Sequence, residues 1–227
     1  LRQAFDGRLT AADTSAWPVV PMRQLLAGID AGKNVRCEER PPGPQECGIV
    51  KVSSVSWGAF DPKAAKTPNA HVPLDERARI RNGDFLMSRA NTLELVGACV
   101  VVGSLERDNL FLSDKVLRMR LIDASLKLWI MHYLRSPEGR EQIEASATGN
   151  QLSMRNISQD AIGALRVPLP AADARSSILL AVNRSLAAIG GALEAAERSA
   201  ALLVRLDRVV LDRAFRGELL DRDIAAG

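Results

Sequence analysis

The chain has 227 residues, 47% of them hydrophobic, which suffices for one large domain or a domain with an appendage and excludes a disordered polyelectrolyte. Its formal net charge is only +3, from 30 Lys+Arg against 27 Asp+Glu, so the sum alone announces no nucleic-acid binder. The distribution is more useful: residues 14–170 hold 20 basic against 17 acidic residues and residues 178–222 hold 7 against 6, so any DNA-facing surface belongs to the first segment.

The opening residues are a motif written twice. Leu1-Arg-Gln-Ala4-Phe5-Asp-Gly7-Arg-Leu9 recurs 210 positions later as Leu211-Asp-Arg-Ala214-Phe215-Arg-Gly217-Glu-Leu219, with Leu, Ala, Phe, Gly and Leu in register. Copies at the two ends bracket one unit, so the chain reads as one half of a duplicated protein, with residues 1–13 as the tail of a preceding helical region. Two helix ends, each stopped by Gly, are the plainer alternative. These first residues carry mixed charge without a signal-peptide core, and no run of about eighteen apolar residues is expected to span a membrane. Cys37, Cys47 and Cys99 are odd in number and lack zinc-site spacing, which predicts reduced thiols in a cytoplasmic protein, with no metal and no cofactor.

After the opening, Trp17-Pro18-Val19-Val20-Pro21 reads as extended, and Met22 to Gly28 as a short helix stopped by glycine. Strand signals follow at 49–53, 84–88, 95–102 and 116–122. In the last, Leu117, Met119 and Leu121 alternate with Arg118 and Arg120, one face buried and one wet. Loops rather than crossover helices separate these runs, which predicts a mostly antiparallel or mixed sheet and an α+β fold. Residues 124–134 form an apolar helix, and Ser136-Pro137-Glu138 starts another with an N-cap, a first-turn proline and an acid at the dipole. Thr148 to Ser153 has polar loop chemistry, and 165–170 is extended and closes a globular head spanning 14–170.

From Leu179 the apolar positions fall at Val182, Leu186, Ile189, Leu193, Ala196, Ala200 and Leu203, a strict 3-4 alternation that marks a coiled-coil seam. Strictly continued, the next position would be Asp207, whereas Leu206 and Val210 carry the apolar face onward, so the register slips by one. With Asp173 as N-cap, the helix and its end occupy 171–222, followed by a tail at 223–227. A helix of this length needs a second long helix, or else folds back on its own head.

In chain order the motifs are Trp17-Pro18-x-x-x-Met22-x-x-Leu25-Leu26, Gly83-Asp84-Phe85-Leu86-Met87-Ser88-Arg89-Ala90-Asn91, Leu112-Ser113-Asp114-Lys115-Val116, Thr148-Gly149-Asn150-Gln151, Ile157-Ser158-Gln159, Val167-Pro168-Leu169-Pro170, the long helix and Ala214-Phe215-x-Gly217-x-Leu219. In that order the chain resembles the second half of the specificity subunit of a type I restriction–modification system. The resemblance implies a target-recognition head that reads one part of a split double-stranded DNA site. It also implies a conserved helix that pairs antiparallel with that of a second such half, in the same chain, a separate chain or a homodimer copy, as a ruler. The subunit would have no catalysis of its own and would place methyltransferase subunits and a restriction/motor subunit on DNA, with no membrane involved. After Pro170 the family often continues with an acidic-Gln pair, whereas Ala171-Ala172-Asp173 stands here.

Base edges are read by bidentate donors and acceptors such as Arg, Asn and Gln. These concentrate in two segments, Arg89, Asn91 and Thr92 beside Ser88, and Asn150, Gln151, Arg155 and Asn156 around Ser153. Ser88, Thr92 and Ser153 would suit phosphates, as would Lys63, Lys66 and Lys115 as point charges. Such loops also serve as simple turns. Arg77, Arg79 and Arg81 share a side of an extended segment, as do Arg118 and Arg120, and either set reads as a groove lining or a solvated face. His132, beside Trp129 and Tyr133, reads as a packed histidine, and no nucleotide-loop, metalloprotease or nucleophile-elbow motif occurs. A coiled-coil adaptor whose head binds protein is the alternative reading, and near-neutral charge is its support.

Overall fold

The computed structural model describes residues 1–10, 13–55, 58–151 and 154–218, apart from the side chains of Asn150 and Gln151. Residues 1–179 and 180–227 form two units. In the first, helix α1 (Arg2–Phe5) precedes strands β1 (Val19–Pro21), β2 (Leu26–Ala31), β3 (Cys37–Glu38), β4 (Gly48–Val50), β5 (Ala65–Pro68), β6 (Phe85–Ser88), β7 (Ala90–Asn91), β8 (Cys99–Val101), β9 (Leu110–Phe111) and β10 (Val116–Leu121). Helices α2 (Lys127–Leu134) and α3 (Pro137–Ser146), strands β11 (Thr148–Gln151) and β12 (Met154–Asn156), helix α4 (Gln159–Ala164) and strand β13 (Arg166–Pro168) follow, and α5 (Ala172–Phe215) begins at the end of this unit. The fold is α+β.

Two four-stranded sheets build the head. One has the antiparallel order β2-β10-β6-β8; the other has the order β3-β5-β4-β9 and holds the parallel pair β4–β9. Val50, Ala65 and Leu110 from the second meet Leu86, Val100 and Val116 from the first in one buried cluster. The opposite face of the first sheet is covered too: Phe85, Met87 and Cys99 are fully buried, and Cys99 lies against the Met131 carbonyl of α2. Burial on both faces explains the unbroken apolar run Phe85-Leu86-Met87, because alternation marks a strand with one wet face. The extended segments at 17–21 and 165–170 pair antiparallel as β1 and β13, with Val20 opposite Val167.

Several expectations change. Met22 to Gly28 is not one helix: Met22–Gln24 is a single 3-10 turn and Leu26 already enters β2, whose partner β10 lies some ninety residues away. Gly28 lies inside β2 opposite Arg120 of β10, so it is a strand residue rather than a helix stop. The expected strand at 49–53 ends at Val50 and turns into a 3-10 helix, and that at 95–102 shrinks to Cys99–Val101. The polar stretch at 148 is strand β11, not loop. Ser136 caps α3 as expected, accepting from the Gly139 amide at 3.2 Å.

Arg118 does not face water. Its side chain is 12% exposed and donates to Asp30 and Asp84 at 3.1 Å and to the Arg79 carbonyl at 2.9 Å, so it clamps three segments. Arg77 and Arg79 are likewise paired, with Asp75 and Glu76, and Arg79 stacks 4.6 Å above the Phe111 ring.

Helix α5 runs for 44 residues, about 66 Å at 1.5 Å per residue. Within the second unit Leu186, Ile189, Leu193, Leu203 and Val210 are exposed, an apolar seam of coiled-coil spacing, whereas Val182, expected on the same seam, is buried. Asp173 lies in its first turn. One 18-residue stretch reaches a mean hydropathy of 1.4, so by length and composition this helix could cross a membrane, contrary to the expectation from the sequence; Ala, Ile, Leu and Val lift the mean although polar residues interrupt the run.

Candidate functional site

The two segments expected to read DNA lie about sixty residues apart in sequence and join in one small sheet of order β11-β12-β7. Asn91 of β7 pairs with Arg155 of β12, and Ala90 with Asn156. Arg89 is the pivot: its amide donates to the Lys115 carbonyl at 2.8 Å, its carbonyl accepts from the Ile157 amide at 3.0 Å, and the residue itself is exposed. A backbone pinned on both sides beneath an exposed guanidinium is an arrangement suited to bidentate recognition.

The β11–β12 hairpin has its own requirement. Gly149 has φ of 126°, and a Cβ there would lie 2.7 Å from the Met154 carbonyl oxygen, so only glycine lets the strands approach. Arg155 folds back onto this hairpin, donating through Nη1 to the Gly149 carbonyl. It therefore braces the hairpin, whereas Asn156 is exposed. Thr92 and Asn91 are partly buried, with the Asn91 Oδ1 accepting from the Thr92 amide at 2.9 Å. The backbones of Asn150 and Gln151 belong to β11, and Ser153 lies outside the described residues.

Ser88 is a correction. It is fully buried opposite Val116 in the sheet, with its hydroxyl toward the Ala90 carbonyl, so no phosphate can reach it. The register of β6 against β10 decides this, because it turns Ser88 toward the interior.

Lys115 belongs to a second feature as well. With Lys33, Lys51 and Lys66 it lines a groove of about 490 Å³ that Asn34 and Ser53 also border. The four lysines come from four separate segments, and Glu39 and Asp114 line the same groove. Lys66 is partnered, since it donates to Glu39 and holds that carboxyl below its usual range. Lys63 is exposed and lies elsewhere, beside Arg107 in another depression. Lys33 and Lys51 escaped the sequence reading, because isolated lysines carry no spacing signal until the fold collects them. Lys115 belongs to both features, since its carbonyl accepts from the Arg89 amide and the residue lines the groove.

Among the described residues no group of three or more His, Cys, Asp or Glu side chains could hold a metal ion. Cys99 is buried, with its thiol pushed up to about 12 by desolvation. His132 is buried too, and desolvation and then Arg135 lower its pKa to about 4.

No family model matches the chain. Over 158 residues it is 30% identical to the type I restriction enzyme EcoEI specificity subunit of Escherichia coli, a match covering 68% of this chain and 26% of that protein. To the EcoKI specificity subunit of Escherichia coli strain K12 it is 28% identical over 181 residues, covering 78% of this chain and 39% of the relative. The chain thus spans well under half the length of these curated relatives. Among solved structures, a chain from a study of complex assembly and conformational transition of the type I R-M system superposes with a TM-score of 0.63 at 19% identity, over 92% of this chain and 48% of that one. The HsdS subunit from Thermoanaerobacter tengcongensis gives 0.55 at 18% identity, over the same shares. Motif order, fold and similarity together place the chain, as a partial-length domain, in the family of type I restriction enzyme specificity subunits.

Proposed function

We propose that the head reads one half of a bipartite double-stranded DNA site and that α5 sets the distance to a second such half. The observation that carries this reading is an arrangement in which the β7–β12 pairing brings the two segments together and holds exposed Arg89 on the backbone of Lys115, one of the lysines of the groove. It combines planar bidentate groups, which discriminate base edges, with point charges, which hold phosphates whatever the sequence. In this reading the chain performs no chemistry. It positions methyltransferase subunits, and a restriction/motor subunit where one is present, on DNA in the cytoplasm, where the free Cys37, Cys47 and Cys99 stay reduced. Helix α5 packs its seam against a second long helix rather than lipid: a membrane span is apolar all round, whereas Asn183, Arg184 and Ser185 interrupt α5.

The test is a map of methylated adenines in cells carrying the complete protein with Arg89→Ala. Loss of a bidentate base contact costs about 1–3 kcal/mol, so methylation should weaken or spread at one half of the site while the other half and the spacer persist. An unchanged methylation pattern would remove Arg89 from base reading, and loss of the assembled complex would make it a folding residue. A protein-binding adaptor predicts no sequence-selective DNA binding at all.

A further inference from the structure

The segment that carries Arg89 and Asn91 is an excursion of the chain. It leaves and re-enters the first sheet at Ser88, whose amide donates to the Ala98 carbonyl and whose carbonyl accepts from the Gly97 amide, both at 2.8 Å. Within it, β7 is followed by a turn that the Val96 amide closes on the Thr92 carbonyl at 2.8 Å. Its pairing with the β11–β12 hairpin is short: Asn91 lies opposite Arg155, Ala90 opposite Asn156, and the Ile157 amide donates to the Arg89 carbonyl beside them. A ladder of two residue pairs is marginal by itself and leaves the relative tilt of the two segments to other contacts.

Helix α3 supplies those contacts. The Arg140 side chain is 13% exposed; its Nη1 donates to the Val96 carbonyl at 2.7 Å, and its Nη2 to the Leu93 carbonyl at 3.0 Å and to Glu144 Oε1 at 3.1 Å. On the same face Ile143 is fully buried, and a Cβ at Gly97, whose φ is 72°, would lie 2.6 Å from its Cγ2. The helix is itself anchored: Gln142 donates to the Tyr133 hydroxyl at 2.8 Å and to the Arg166 carbonyl at 3.1 Å, and its Oε1 accepts from the Arg166 amide at 2.8 Å. Ala147 alone separates the end of α3 at Ser146 from Thr148 of β11. An anchored helix therefore grips the Arg89 excursion with one face and leads into the other reading segment from its end.

We propose that Arg140 is a positioning residue for base reading: without touching DNA, it sets the excursion bearing Arg89 and Asn91 against the β11–β12 hairpin, so that both segments meet one half-site in a fixed relation. A planar guanidinium with five N–H donors holds two carbonyls and a carboxylate at once, whereas an ammonium in its place keeps the charge but not the fork. The inference rests on the reading that the head recognises bases, and it assigns part of that selectivity to a side chain turned into the protein.

The complete protein with Arg140→Ala, Arg140→Lys or Gly97→Ala tests it, beside the wild type and Arg89→Ala. Anisotropy gives the affinity for a duplex carrying the site that wild-type cells methylate and for a duplex of random sequence, at one fixed interval below each protein's Tm so that lost stability cancels. One bidentate base contact is worth about 5- to 150-fold in discrimination, so Arg140→Ala, which misplaces both Arg89 and Asn91, should lower the specific-to-random ratio at least about tenfold. Random-duplex affinity and its salt slope should stay as in the wild type, because in this reading the groove lysines hold the phosphates. Arg140→Lys should lose less of the ratio than Arg140→Ala. Gly97→Ala displaces the excursion from Ile143 with Arg140 intact, and it decides the matter should Arg140→Ala lose its native circular dichroism. An unchanged ratio in the deciding variant, with a lowered ratio in Arg89→Ala, overturns the positioning role alone and leaves Arg140 a folding residue. An unchanged ratio in Arg89→Ala removes the base reading and this inference with it, whatever Arg140→Ala does.

Discussion

If the head holds DNA as proposed, neutralising the groove lysines should locate the phosphate track. Lys33, Lys51, Lys66 and Lys115 line one groove, and of these only Lys66 forms an ion pair among the described residues. Each lysine that neutralises a phosphate adds about 0.9 to the slope of log affinity against log salt, so the other three carry about 2.7 of that slope. Over about a fourfold rise in salt, the wild type should therefore lose about 40-fold more affinity than the Lys33→Gln, Lys51→Gln, Lys115→Gln triple variant. Lys66 must leave Glu39 before it can hold a phosphate, so Lys66→Gln alone should lower the slope less than any of the three. Glu39→Gln should do the reverse: it frees the ammonium, removes a negative charge, and raises both affinity and slope. Anisotropy of a labelled random-sequence duplex across a salt series measures the wild type and each of these variants. A triple variant whose slope lies within about 0.3 of the wild type would refute the argument, since three lost phosphate contacts cannot hide in that margin.

Leu186 and Leu193 stand 47% and 59% exposed on the α5 seam, so Leu186→Glu with Leu193→Glu should abolish helix pairing; a double variant that sediments like the wild type contradicts the seam. Burial holds folded His132 neutral down to about pH 4, whereas in the unfolded chain it protonates near its ordinary value of about 6.5. Its neutral burial therefore supports stability above about pH 6.5, and as pH falls to about 4 up to about 3 kcal/mol of that support is lost. Urea unfolding across that window should show the loss in the wild type and much less of it in His132→Leu. If α5 is a ruler, four residues inserted after Ala196 add about 6 Å and should lengthen the spacer between methylated half-sites by about one or two base pairs, with the bases read unchanged. An unchanged spacer would show that the helix does not set the distance.

Where the determining interaction is local, the sequence sufficed. The cap at Ser136 and the 3-4 spacing of α5 each depend on residues within a turn or two, whereas the alternation along β10 held for Leu117 and Met119 but not for Arg118. The head was less legible, because its strands are specified by distant partners. Met22 to Gly28 is helical by local pattern, yet from Leu26 it is a strand because β10 lies beside it, and Thr148 to Gln151 reads as a loop until β12 pairs with it. The site followed the same rule. Two Asn- and Arg-bearing segments were visible in the sequence, but their meeting at Arg89, the burial of Ser88 and the gathering of Lys33 and Lys51 beside Lys115 all arise from long-range pairing.

The repeated element separates the two kinds of information most cleanly. Sequence alone determines that each copy ends a helix with a Phe and a left-handed Gly, because chirality and capping act within a few residues. Tertiary structure alone decides that one ring is 8% exposed and the other 89%, because burial requires a surface from elsewhere, which Trp129 and Tyr133 provide for Phe5.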